Sequence, residues 1–313
     1  MTCTTRFIAQ SVQSKGEETA LPMGMSQTAS VASATLALII AWVNAPTDYL
    51  PRPSFPKPVL EGMIKLDSIA TSRPSVVASW WDYGYMSMLI NGKPTLHDGG
   101  SQTTPTMHFI ANNLLRRSQK EAALELKMLG NAGFEGVIAH RLLDKENSTK
   151  ARPDDNVIYL VLTKDMTRWM PSISKIGAFD IKAGKPYQFD GVKRGYQLFY
   201  NELKCTPTDS TQEFICNGNR LNLVSGQFGN DAILDGMAVS RYGRQTGGRK
   251  FPNANTPFVL HSEVGANTNR NLLLHRDLYF SVFHQLFYLN RADPKYFELV
   301  YDGFPDIRVF KIF

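Results

Sequence analysis

Pro46, Pro51, Pro53, Pro56 and Pro58 crowd one short stretch, and that crowding divides the rest of the chain. Proline lacks a backbone N–H and fixes φ, so a run this dense disfavours helix and central strand and makes a stiff linker. Upstream, nothing between Glu18 and Asp48 is charged, and the segment's core, Val31 to Val43, reads V-A-S-A-T-L-A-L-I-I-A-W-V. A membrane-spanning helix needs about 20 predominantly apolar residues. Counted from Val31 the run is short; counted from Met23 it is long enough but diluted by Gly24, Ser26, Gln27 and Thr28. Glu17 and Glu18 stand where a secretory signal carries basic residues. The expectation is a single remnant transmembrane helix with Trp42 near the interface, against a competing reading as a buried core helix. The chain thus divides into residues 1–45, a Pro-rich linker at 46–58, and a globular body.

The body reads as mixed α/β. Ser75 to Trp80 is a short apolar strand. Thr104 to Gly130 has helical periodicity broken at Arg117, restarted by a Ser118/Glu121 capping box and stopped by Gly130. Asn156 to Thr163, N-V-I-Y-L-V-L-T, has the β-branched look of a buried strand. These pieces predict an α/β region over 59–183. From 184 to 313 the pattern changes to short alternating segments such as Tyr196–Leu203 and Glu213–Ile215, separated by Asn-Gly and Gly-Gly turns. That half is expected to be β-rich, with a helix over Leu272–Leu289 and a closing strand at Ile307–Ile312.

Charge and cysteine usage narrow the partners. The 34 basic and 28 acidic residues give a net charge of +6, but they are scattered and no basic run carries interleaved aromatics, so nucleic acid is not an expected partner. Cys3, Cys205 and Cys216 lack the close spacings of a zinc site, and no metal is expected in this chain. Cys205 and Cys216 flank the turn-rich Thr206-Pro207-Thr208-Asp209-Ser210; a hairpin can bring them to bridging distance, and two free thiols fit the sequence as well.

The cluster that carries chemistry is Trp80-Trp81-Asp82-Tyr83-Gly84, where the apolar strand ends. Strand-end loops are where rigid scaffolds present functional groups. A hydroxyl offers one donor hydrogen and two acceptor lone pairs. Two indole N–H donors and one carboxylate satisfy all three, and such a site rejects a ligand without the hydroxyl because buried polar groups are left unpaired. Two adjacent tryptophans also suit a core pair, with Asp82 capping a helix from Tyr83.

The five-residue string resembles the signature of oligosaccharyltransferase catalytic subunits, eukaryotic, archaeal and bacterial PglB-type. Further similarities are Ser75-Val76-Val77-Ala78-Ser79 before the motif, His97-Asp98-Gly99-Gly100 after it, Leu286-Phe287-Tyr288-Leu289, Tyr296-Phe297-Glu298-Leu299-Val300 and the final Val309-Phe310-Lys311-Ile312. The resemblance covers roughly residues 46–313. It implies that Trp80, Trp81 and Asp82 grip the Ser or Thr hydroxyl at the +2 position of an Asn-X-Ser/Thr acceptor polypeptide. It also implies a second element on a helix beyond the Tyr159-Leu160 strand. Met170-Pro171-Ser172-Ile173 fits the bacterial Met-x-x-Ile, with Ile173 at the acceptor threonine methyl; counting from the strand substitutes Met166 and Trp169, and Asp165 with Arg168 echoes an Asp/Lys form.

What the resemblance places elsewhere is equally definite. Catalysis, Mg²⁺ or Mn²⁺, and the lipid-linked oligosaccharide belong to a transmembrane half that this sequence does not contain, so no catalytic residue is assigned here. The domain is expected at the periplasmic face of the membrane, an oxidising setting in which Cys205 and Cys216 are expected to pair. Two other functions compete: a carbohydrate-binding module using exposed Trp and Tyr, and a hydrolase built from Ser79, Asp82, His97 and Asp98, for which no Gly-x-Ser-x-Gly elbow exists.

Overall fold

The computed structural model describes residues 35–37, 40, 55–69, 73–142, 156–186, 198–210, 212–265 and 269–313. The chain divides into two compact units, Met1–Ser54 and Phe55–Phe313. In the first, residues 35–37 and 40 are helical and exposed. The rest of the expected span over Val31–Val43, and linker residues 46–54, lie outside the described residues. Among the described residues no helix is long and apolar enough to cross a membrane.

The second unit opens with helix α1 (Lys57–Asp67), which begins inside the stretch expected to be linker. Pro58 sits in its first turn, where the missing N–H costs no intrahelical bond. Then follow β1 (Ser75–Ala78), α2 (Gly84–Asn91), α3 (Pro105–Leu115), α4 (Gln119–Leu142), β2 (Val157–Thr163) and α5 (Met166–Gly177). The break between α3 and α4 falls where the sequence predicts it, and Ser118 Oγ accepts from the Glu121 N–H at 3.3 Å. Gly130, expected to stop the helix, does not: α4 continues to Leu142 with its kink at Gly133 (φ 68°). Gly130 serves close packing instead, because a Cβ there would collide with Ile158 of β2.

The second half contributes the short hairpin β3 (Phe179–Asp180) and β4 (Lys185–Pro186), then ten strands: β5 (Tyr200–Leu203), β6 (Cys205–Pro207), β7 (Glu213–Cys216), β8 (Asn219–Asn222), β9 (Gln227–Phe228), β10 (Ala232–Ile233), β11 (Gly236–Arg241), β12 (Arg244–Lys250), β13 (Phe258–Val264) and β14 (Asn269–His275). Helices α6 (Arg276–Tyr279) and α7 (Val282–Phe287) and the hairpin β15 (Phe297–Gly303) and β16 (Ile307–Ile312) close the chain. The helix expected over Leu272–Leu289 is corrected: its first part is β14, hydrogen-bonded to β13 on one side and β5 on the other. A short apolar run such as Leu272-Leu273-Leu274 does not itself distinguish strand from buried helix, and the pairing partners decide.

Three sheets of four or five strands organise the body, in the orders β1-β2-β16-β15, β10-β9-β8-β7-β6 and β12-β11-β13-β14-β5. The first unites the two ends of the unit, since β16 pairs antiparallel with β2 while β1 pairs parallel with β2; it spans the expected division at 183/184. Its core includes Val77, Tyr159, Val161, Phe283, Phe287 and Phe310, all 0% exposed. A smaller core around Leu203, Cys216, Leu221, Phe251 and Leu260 lies among the other strands. There Cys205 and Cys216 face each other across β6 and β7 and form a disulfide.

Candidate functional site

Parallel pairing of β1 with β2, in register from Ser75↔Val157 to Ala78↔Leu160, brings the C-terminal ends of both strands to the same edge of the sheet. In open α/β sheets that edge is where ligands bind. Trp80 and the turn Trp81–Tyr83 follow β1. Lys164 and Asp165 follow β2 and lead into α5. A third segment runs beside β1: Val77 N–H donates to Pro94 O (2.9 Å) and Leu96 N–H donates to Val77 O (2.8 Å). It delivers His97-Asp98-Gly99-Gly100 to the same corner.

Close packing locks these stretches together. Gly84 has helical backbone angles (φ −61°), so its requirement is steric. A Cβ there would stand 2.5 Å from both His97 O and the Asp98 Cβ. One on Gly99 would stand 2.7 Å from the Tyr85 ring. The Trp80 and His97 rings meet edge to face at 5.6 Å.

The three predicted hydroxyl-binding residues differ in exposure. Trp80 is 2% exposed, and its Nε1 is buried with no hydrogen-bond partner. Trp81 and Asp82 are half-buried, and Asp82 Oδ2 is likewise buried without a partner. The Asp82 carboxyl titrates above the usual carboxylate range, first because burial penalises its charge and second because Asp165 stands nearby, against a backbone hydrogen bond that favours the anion. Asp165 also accepts a hydrogen bond from the Tyr83 hydroxyl at 3.4 Å. Asp82 makes no side-chain cap to the helix beyond it.

The hydrolase constellation does not assemble. Ser79 Oγ is buried and donates to Trp80 O (3.1 Å). Asp98 accepts from the Gly100 and Ser101 N–H groups as the cap of a short turn. His97 is fully buried, its Nδ1 at 2.8 Å from Ser101 Oγ, and burial lowers its pKa to about 4. Ser79 is thus paired with a backbone carbonyl rather than a base, and the hydroxyl beside His97 is that of Ser101.

On α5, Met166, Met170 and Ile173 are each 0% exposed and form the inner face. Met170 and Ile173, expected as acceptor contacts, lie on that buried face. Pro171 falls in the second turn of α5, beyond the first-turn position where proline is readily accommodated. The exposed large apolar side chain of this helix is Trp169, at 43%, four residues after Asp165 and hence on the same side of the helix. The sequence offers Asp165 only as half of an Asp/Lys echo with Arg168; its closeness to Asp82 comes from the parallel pairing of the two strands. Among the described residues no group of three or more His, Cys, Asp or Glu side chains could hold a metal ion.

The family model of the STT3/PglB/AglB core domain matches residues 73–131, the segment containing both the Trp80–Gly84 and His97–Gly100 stretches. The crystal structure of the C. jejuni PglB C-terminal domain superposes with a TM-score of 0.60 at 17% identity, covering 81% of this chain and 98% of that one. The C-terminal globular domain of the Archaeoglobus fulgidus oligosaccharyltransferase AfAglB-S2 gives 0.38 at 9% identity over 83% of this chain and 100% of that one, too low to equate the folds. No curated protein sequence matches the chain closely enough to count as a relative. Residues 73–131 thus match the STT3/PglB/AglB core domain, and the chain is similar in fold to the C. jejuni PglB C-terminal domain.

Proposed function

We propose that this domain reads the Ser or Thr at +2 of an Asn-X-Ser/Thr acceptor through Trp80, Trp81 and Asp82. Transfer of a lipid-pyrophosphate-linked glycan to the Asn is performed by a transmembrane half that also holds Mg²⁺ or Mn²⁺. The observation that carries the reading is the pair of unmatched buried groups two residues apart, the Trp80 Nε1–H donor and the Asp82 Oδ2 acceptor. Buried polar groups are ordinarily paired, and an unpaired one costs about 1–3 kcal/mol. A hydroxyl, which both donates and accepts, suits this combination. A sugar-stacking platform would need an exposed indole face at Trp80, which is 2% exposed.

Work at the periplasmic face accords with the Cys205–Cys216 disulfide, since such bonds persist in oxidising compartments. The reading is tested by nuclear magnetic resonance of the tryptophan indole N–H groups during titration with Asn-Ala-Thr and Asn-Ala-Val peptides. Valine keeps the shape of threonine and removes the hydroxyl. The Trp80 and Trp81 signals should move with the first peptide and stay with the second; equal shifts would show that the hydroxyl is not what is recognised.

A further inference from the structure

On the β-rich side, β11, β12 and the end of α6 border a cavity of about 330 Å³. Pockets for small ligands begin at about this size. Its lining includes the buried Ala238 and Val259 and the exposed Gly248. Gly248 packs closely enough on β11 that a Cβ would stand 2.9 Å from Met237 O. Phe280, 38% exposed, forms one wall.

The charges around this cavity are mostly cationic and mostly uncommitted. Arg249, Lys250 and Arg291 line it. The acidic lining residue, Asp235, is already paired with Arg276 at 3.1 Å. Arg291 is held by its backbone: its N–H donates to Gln285 O (2.9 Å) and its carbonyl accepts from Gln119 Nε2 (2.6 Å). Its guanidinium makes no hydrogen bond or ion pair among the described residues, and neither does the Lys250 ammonium. Arg249 gives one N–H to Leu223 O at 3.2 Å and lies over the Phe251 ring. A neutral hydrogen-bonding pair completes the wall, the Tyr279 hydroxyl donating to Gln245 Oε1 at 3.1 Å. A fixed backbone presenting a free guanidinium beside a second cation is suited to an anion, because the guanidinium fork matches carboxylate and phosphate oxygens.

We propose that this cavity binds an anionic sugar, its carboxylate or phosphate held by Arg291 and Lys250 and one face of its ring laid on the apolar lining beside Phe280. The anionic half of the proposal rests on the cavity alone. Its sugar half rests on reading the chain as a domain of a glycan-transferring protein. No acceptor peptide enters the test, so failure here would leave the Trp80–Asp82 reading untouched.

The experiment titrates the full chain with galacturonate, glucose 6-phosphate, galactose and succinate, following the backbone amides of Gln245 and Gly248 by nuclear magnetic resonance. Galacturonate, glucose 6-phosphate or both should give saturable shifts that weaken with added salt, and the stronger of the two identifies the anionic group. Arg291→Glu should weaken that binding at least tenfold, with Lys250→Ala acting in the same direction. Retention of the thermal melting temperature in both variants would show that the loss is not unfolding; if Arg291→Glu unfolds the chain, Lys250→Ala carries the test. Galactose binding as tightly as galacturonate would overturn the role of charge, and succinate binding as tightly would overturn the sugar. No saturable shift with either anionic sugar, or an unchanged affinity in the charge variants, would overturn the proposal as a whole.

Discussion

Asp82 is asked to accept a hydrogen bond from a ligand while sitting where its own ionisation is opposed. Its pKa is raised by burial first and by Asp165 second, so between the ordinary carboxylate value of 3.8 and its raised value the folded protein binds a proton that the unfolded chain releases. Stability contributed by this group is therefore present at low pH and is lost as pH rises through that window. Hydroxyl recognition runs the other way, because the carboxylate is the stronger acceptor; it strengthens as pH rises past the raised value. Asp165→Asn removes the neighbouring charge and should lower the Asp82 pKa, read as a downward shift in the carbon-13 titration of the Asp82 carboxyl. An unchanged titration would mean that burial alone sets it. Gly84 offers a separate test of the corner's packing. Gly84→Ala is conformationally permitted, yet the new methyl meets His97 and Asp98 backbone atoms that cannot rotate away. A cost of about 1–3 kcal/mol in denaturant unfolding is expected, typical of overpacking.

Among the elements, α5 separates packing from recognition. Ile173 is sealed in the core, so Ile173→Ala should cost about 2–5 kcal/mol of stability. Trp169→Ala should leave the melting temperature nearly unchanged, and, if α5 touches the acceptor, shift the ratio of Thr to Ser acceptor use. The reverse pattern, a stable Ile173→Ala variant with an altered ratio, would return the role to the Met-x-x-Ile letters. The β6–β7 hairpin makes a second element-scale prediction. Its disulfide joins cysteines 11 positions apart, a short loop whose closure is worth roughly 2–3 kcal/mol. Cys205→Ser with Cys216→Ser should lower stability by about that amount in urea unfolding, centred on the smaller core to which Cys216 belongs. Secondary structure was most legible where a single local cause decides it. Asn156–Thr163 read as a strand because its composition is β-branched and apolar, and Ser118 marked the restart of a helix. Gly130 and Leu272–Leu289 were misread because partners distant in sequence decide them: Ile158 requires the glycine, and β5 with β13 claims the leucines.

At the scale of the whole molecule, the mixed α/β class and the β-rich second half could be read from patterning. The return of the last hairpin to the first sheet could not, since antiparallel pairing of β16 with β2 joins residues more than a hundred positions apart. The same limit applied to the site. Trp80, Trp81 and Asp82 stand as a contiguous string, whereas the place of Asp165 beside Asp82 follows only from the parallel pairing that puts two strand ends together. The assembled account makes the domain a reader of the acceptor hydroxyl, and the most direct test is the kcat/KM of Asp82→Ala in the chain combined with a competent membrane half. Losing a hydrogen bond to a charged group costs roughly 1.5–3 kcal/mol, on the order of tenfold to a hundredfold in rate, and it should fall equally on Asn-Ala-Ser and Asn-Ala-Thr peptides. Transfer to Asn-Ala-Thr at the unmodified rate would contradict the account and leave Trp80-Trp81-Asp82 as a packing motif.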